Sequence, residues 1–339
     1  MPYLLIIFAM VFAQCETKED NTQERNLAIA AVALSQQSNQ VETTLNFEAY
    51  SGSSQLACGS TTYTLPSGQV VYLRDLRFYV SSISLVKADG SEAAFTIYDD
   101  SSLPTDEQNF QVNNSLGSVA LLDFADNTGS CTSSSFSTTS ATRTSIKGTV
   151  ASGSYTGVKF TIGVPSALNH YDSSASTTPT ALNTGTQSGM QWSWLIGYKF
   201  MKLELQTTSS SSVLNYHLGS TNCSAESSDF SDATCQNSYR SEFTVQVSSG
   251  TFEPSTQKIR FDLEQLVDSS VLTSYYADGT ALACMPIGTP TGSGGTSTSC
   301  SPLIRNIGLT PGDSAGISDT TSGAGTVDTS NQKAVFSIQ

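Results

Sequence analysis

In 339 residues the chain sets 29 acidic side chains against 15 basic ones, for a formal charge of −14. Such a surface repels phosphate backbones, which argues against nucleic acid as a partner. It is compatible with cations or a basic protein, and otherwise serves solubility.

The chain opens on "MPYLLIIFAMVFAQ", an uncharged apolar run too short to span a membrane and of the size of a signal-peptide core. Cys15 and the polar "ETKEDNTQERN" follow, the layout of a lipoprotein signal, although Gln14 stands where a lipobox has a small residue. The expectation is a signal peptide over 1–14, lipidation at Cys15 and a tether over 15–40. The chain would then be exported and membrane-anchored through its lipid, in the periplasm or at the outer membrane and cell surface. Plain cleavage without lipidation is the alternative.

From Val41 to the C-terminus, short runs alternate with period two, which predicts strands with one buried face. "TLNFEAY" begins the pattern. "VVYLRDLRFYVSSISLV" sets Leu76, Phe78 and Val80 against Arg77, Tyr79 and Ser81. "GVKFTIGVP", "EFTVQV", "KIRFDLEQL" and "KAVFSIQ" repeat it. No long helical period appears after residue 40. The fold class expected is all-β, an antiparallel β-sandwich over 41–339, with long Ser/Thr/Gly loops at 288–299 and 312–332.

Both tryptophans lie in "MQWSWLIGYKF". Trp192, Trp194, Ile196, Tyr198 and Phe200 share one parity, and Met201, Leu203 and Leu205 take the other. The stretch therefore reads as one strand carrying both indoles on one face, with a β-bulge or a crossing between sheets at Phe200–Met201.

Apart from Cys15 there are six cysteines. An even number in an exported chain predicts disulfides, and local closure suggests Cys223–Cys235 and Cys284–Cys300, leaving Cys58–Cys131. Asp75 and Asp123 flank strands and are expected to pair Arg74 or Arg77 or to accept backbone N–H bonds. "GDSAG" at 312–316 matches the hydrolase nucleophile pattern, but both histidines precede it and a low-complexity loop follows, so Ser314 is not read as a nucleophile.

The two histidines are His170, in "ALNHYD", and His217, in "NYHLGST". Alone, each reads most simply as a polar group at a loop–strand junction. Imidazole also suits copper and zinc, and two imidazoles are too few for a closed zinc site.

The ordered set "LRDLRFYVSSISLV", "VALLDF", "SYTGVKFTIGVPSALNH", "MQWSWLIGYKFMKLEL", "YHLGSTNC" and "CMPIGTPTGSGGTSTSCSPLIRNIGL" resembles the MbnP-like family, also described as the four-Cys member of a metallo-mystery pair. The resemblance implies an exported copper-binding β-sandwich, not an enzyme, that holds Cu(I) through His170 and His217. It implies a MauG-like di-haem cytochrome c peroxidase homologue as partner, which oxidises a tryptophan, Trp192 or Trp194, to kynurenine beside the metal. Asn169, Tyr171 or Asp172 would fix the ring tautomers. The six domain cysteines depart from the four that the family label stresses. A surface or adhesion lipoprotein with the same fold and no metal is the alternative.

Overall fold

The structure, a computed structural model, describes residues 39–132, 141–187, 189–209, 213–269, 283–284, 297–312 and 322–339. The expected signal peptide, Cys15 and most of the tether lie outside these residues, as does Ser314. Two sheets carry the fold. The first combines β1 (Gln40–Ser51), β4 (Ser145–Ala151), β13 (Lys258–Asp262) and β14 (Phe336–Ile338) in the order β14-β13-β1-β4, with Thr96–Ile97 beyond β4. The second contains β2 (Val70–Val86), β3 (Gly117–Asp123), β5 (Gly157–Ile162), β8 (Met201–Thr207), β9 (Val213–Leu218) and β12 (Ser241–Gln246). Its path is β12-β5-β2-β8-β9, with Ala283–Cys284 beyond β9.

The 17-residue β2 organises the second sheet. Its first half pairs with β8 and its second half with β5, while residues 77–81 pair with β3. Pairing is mostly antiparallel, as expected, but Asn46–Tyr50 of β1 runs parallel to Lys258–Asp262 of β13. These strands are remote in sequence, so a long crossover can join them, as a parallel pair requires.

The inner faces meet in an aromatic cluster. Phe47, Phe261 and Phe336 from the first sheet meet Phe78, Phe160 and Phe243 from the second. Phe243 and Phe336 approach to 4.7 Å between ring centres, edge to face, the arrangement that the ring quadrupole favours. β12 shows the expected alternation of buried and exposed residues. β2 does not: Leu76 through Ser81 are all buried. Its second face is covered by the connection from Gly163 to Phe200. Tyr79 donates its hydroxyl to Ala181 O at 2.8 Å, and Tyr198 donates to Leu182 O at 2.6 Å. The one-buried-face expectation thus fails for this strand, because a loop layer takes the place of solvent.

The stretch 190–200 is not one strand. Gln191–Ser193 (β6) and Gly197–Tyr198 (β7) form an antiparallel hairpin separate from the two sheets. The turn needs a positive φ at Gly197 (+87°), where a side chain would be strained. The chain then enters the second sheet at Met201, so of the bulge or crossing that the parity change predicted there, the structure shows the crossing.

Two disulfides have the expected partners: Cys58–Cys131 and Cys223–Cys235. The second joins β10 (Thr221–Ser224) to β11 (Thr234–Asn237). Cys284 is also disulfide-bonded, but the Cys300 side chain lies outside the described residues. Part of the expected 288–299 loop is instead the start of a helix, Ser297–Asn306, whose Leu303 is buried.

Candidate metal centre

The strand register builds a charged layer on the loop-covered face of the second sheet. Arg77 stands opposite Asp123 on one side and Lys202 on the other, and Lys202 stands opposite His217. Two residues along, and therefore on the same face, Asp75 stands opposite Glu204. Asp75, Arg77, Asp123 and Lys202 have no exposed surface, and His217 only 1%. Buried charges must be paired, and those of Asp75, Arg77, Lys202 and Glu204 are. Arg77 grips Asp75 with two hydrogen bonds, at 2.9 and 2.7 Å. Lys202 bonds the same carboxylate and lies 3.3 Å from Glu204 Oε1. Glu204 Oε1 in turn lies 2.9 Å from His217 Nε2. The expectation that Asp75 pairs Arg77 holds, and Asp123 Oδ1 accepts the Ala125 N–H at 2.9 Å.

Burial sets the protonation of this layer. It pushes His217 down to about 4, helped by the nearby Lys199 and Lys202 charges and opposed by the Glu204 hydrogen bond. Burial raises Glu204, but His217 and Lys202 outweigh it and hold the carboxyl below its ordinary value. Lys199 is pushed down to about 7, first by burial and then by Lys202 and Arg77.

His170 sits just after the 3₁₀ turn Ser166–Leu168 and is half-buried. Its Nδ1 lies 3.0 Å from the Trp194 carbonyl, so Nδ1 carries the proton and Nε2 the lone pair. Asn169 Nδ2 lies 3.3 Å from that Nε2. Its amide is oriented by the Tyr198 N–H, which donates to Asn169 Oδ1 at 3.1 Å. Cys235 Sγ, within its disulfide, lies 3.6 Å from His170 Nε2. Burial, then the Arg240 charge, holds His170 below its ordinary value against the Trp194 bond. Of the residues expected to orient the rings, Asn169 touches His170. Asp172 instead accepts from the Ser174 N–H and hydroxyl, and the Tyr171 carbonyl accepts from Gln191.

The two indoles part company in the hairpin. The Trp192 ring centre lies 6.5 Å from the His217 ring, with Lys199 Nζ 5.5 Å from the indole centre. The Trp194 ring meets Phe230 edge-on at 6.5 Å, while its carbonyl holds His170. One hairpin therefore contacts both histidines, through the Trp192 ring and the Trp194 backbone. Alternation had placed both indoles on one face; the turn at 194–196 separates them.

The sequence model of the MbnP family matches residues 39–286. The chain belongs to the MbnP family. Its fold is similar to that of MbnP from Methylosinus trichosporium, with a TM-score of 0.60 over 88% of this chain and 98% of that one, at 22% identity. No curated protein matches its sequence significantly.

In this MbnP-family chain the glycine of "HLGS" has a defined task. A Cβ on Gly219 would lie 2.6 Å from Trp192 Cζ3 and 2.8 Å from Tyr198 O, so only glycine lets the indole lie against the end of β9. Gly219→Ala is expected to displace Trp192 and cost about 1–3 kcal/mol. In a Trp194→Phe background, Trp192 emission should shift to the red. Unchanged emission and stability would contradict this packing.

Lys202 and Glu204 were missed in the sequence. Their signal was the polar parity of "MKLEL", opposite a histidine in "LNYHL". Among the described residues, Cys58, Asp126 and Cys131 also cluster, but their thiols are spent in the disulfide.

Proposed function

We propose that this chain is an exported copper-binding protein that takes Cu(I) between His170 and His217, with Trp192 as the tryptophan oxidised beside the metal. The observation that carries this reading is the Gln191–Tyr198 hairpin, which contacts both imidazoles. The donor set fits: two imidazoles, each with one nitrogen held by a protein oxygen, which is the arrangement of metal-ligating histidine. Both have pKa values lowered by burial, so both are neutral donors near pH 7. Copper, when bound, would supply a redox-active centre, and imidazole is among the ligands that suit it.

The chain's own residues orient and enclose. Trp194 O and Asn169 fix His170, and the Trp192 indole screens His217 from solvent. Trp192 is assigned over Trp194 because its ring, and not only its backbone, faces a ligand. The oxidising chemistry would come from a MauG-like di-haem peroxidase, with this protein as substrate and not catalyst. Two peroxide equivalents insert two oxygens across the indole C2–C3 bond and leave two waters. Hydrolysis of the resulting N-formylkynurenine then releases formate and leaves kynurenine. The disulfides suit an oxidising compartment, and lipidation at Cys15 would anchor the chain to a membrane.

The purified protein should bind one equivalent of copper, measured by competition with a chromophoric Cu(I) chelator. His170→Ala and His217→Ala should each abolish tight binding. Undiminished binding in the double variant would defeat the assignment, and no binding by the unaltered protein would favour the metal-free surface lipoprotein. After co-expression with the peroxidase, peptide mapping should find the oxidation on Trp192. Oxidation confined to Trp194 would reverse that choice.

A further inference from the structure

The charged layer does more than fill the core. We propose that Glu204 is the positioning residue of the metal centre: it fixes His217 in the tautomer that presents Nδ1 to the ion. This rests on the copper reading above. Glu204 Oε1 stands 2.9 Å from His217 Nε2. The same oxygen is 3.3 Å from the Lys202 ammonium, and Lys202 is tied to Asp75, which Arg77 grips through two hydrogen bonds. A carboxylate held against an ammonium stays ionised, and an ionised carboxylate only accepts. His217 must then donate from Nε2, which puts its lone pair on Nδ1.

The carboxylate is not free to turn away. Glu204 and Lys202 lie on one face of β8, and their cross-strand partners Asp75 and Arg77 lie on one face of β2. Side chain and backbone are thus both locked, and a rigid supporting group is what a precise metal site needs. The chain Arg77–Asp75–Lys202–Glu204–His217 is a buried line of alternating charge ending on a ligand. A solvent-facing carboxylate could orient the ring as well, but water would compete for Nε2–H. Here the 97% burial of Glu204 removes that competitor.

The test needs no copper for its first arm. With ¹⁵N-labelled histidine, long-range ¹H–¹⁵N correlation spectra report the tautomer of each ring. The chain has two histidines, so a His170→Gln variant assigns both. His217 should appear as the neutral Nε2–H form, and Glu204→Gln should shift it toward a mixture by weakening the acceptor. In the second arm, Glu204→Gln should lower Cu(I) affinity about 10–100-fold while the thermal midpoint and near-UV spectrum show a native fold. A neutral Nδ1–H tautomer in the unaltered protein overturns the proposal, as does unchanged copper affinity in folded Glu204→Gln. Should Glu204→Gln fail to fold, the tautomer of the unaltered protein still decides. Copper binding that survives His217→Ala would sink the copper reading instead, and would leave the tautomer result standing by itself.

Discussion

Asp75→Ala is expected to destabilise the protein by about 3–5 kcal/mol, the range for removing one partner of a buried ion pair. Asp75 is the shared counter-ion of two cations, Arg77 and Lys202, and all three are fully buried. Arg77 also faces Asp123 across the sheet, but burial pushes that carboxyl up to about 8, so it is a poor substitute for the Asp75 carboxylate. Lys202 retains Glu204, while Arg77 loses the carboxylate it grips through two hydrogen bonds. Asp75→Asn should cost less, since the amide oxygen can still accept one bond. The contrasting variant is Asp75→Leu with Arg77→Met and Lys202→Met, which removes the whole group. Replacing a buried ionic cluster by apolar side chains of similar volume is often neutral or stabilising. The triple variant should therefore be more stable than Asp75→Ala alone, although His217 loses part of its support. Urea unfolding with a common slope would measure each. A loss below about 1 kcal/mol for Asp75→Ala would mean that water or a rearranged carboxylate replaces it.

This arrangement explains which parts of the molecule were legible in the sequence. Strands such as "EFTVQV" were legible because one face meets solvent and the other meets the aromatic cluster, so period two is written in residue type. The charged face of β2 was written in the same way, yet it is buried. Arg77 and Lys202 look like solvent-facing residues because sequence shows a charge but not its counter-ion on another strand. The Trp stretch misled differently. Trp192, Ile196 and Tyr198 keep one parity by chance across a tight turn, and parity is blind to a reversal of direction. Gly197 was the available sign, as a glycine inside an alternating run marks a bulge or turn. The histidines were easy to single out because there are two of them. That one hairpin contacts both is a property of the fold, and no spacing between positions 170 and 217 contains it.

The same buried layer predicts an unusual dependence of stability on pH. Burial, with the negative charge of Asp75 adding to it, raises the Asp123 carboxyl from 3.8 to about 8 against the opposing Arg77 charge. Between those values the native state holds a proton that the unfolded chain has released, so stability falls as pH rises. His217 works in the other direction. Its value drops from 6.5 to about 4, so between about pH 4 and 6.5 the unfolded chain binds the extra proton and stability rises with pH. Each full proton difference is worth about 1.4 kcal/mol per pH unit. The two effects therefore oppose each other from about pH 4 to 6.5, and Asp123 acts unopposed just above that window. Lys199, lowered from 10.5 to about 7, then adds stability with rising pH through its own interval. The unaltered protein should thus show a flat profile, a shallow minimum between about pH 7 and 8, and a recovery above it. Asp123→Asn keeps an oxygen for the Ala125 N–H and removes one arm of the balance. Its stability should climb from about pH 4 to 6.5, and at pH 8 it should exceed the unaltered protein by a few kcal/mol. Below pH 3.8 both chains carry a neutral group at 123, so the difference should vanish. Urea unfolding from pH 3.5 to 9 would trace both curves. Parallel curves between pH 4 and 8 would show that Asp123 is ionised in the native state, and that Arg77 neutralises it more fully than burial opposes it.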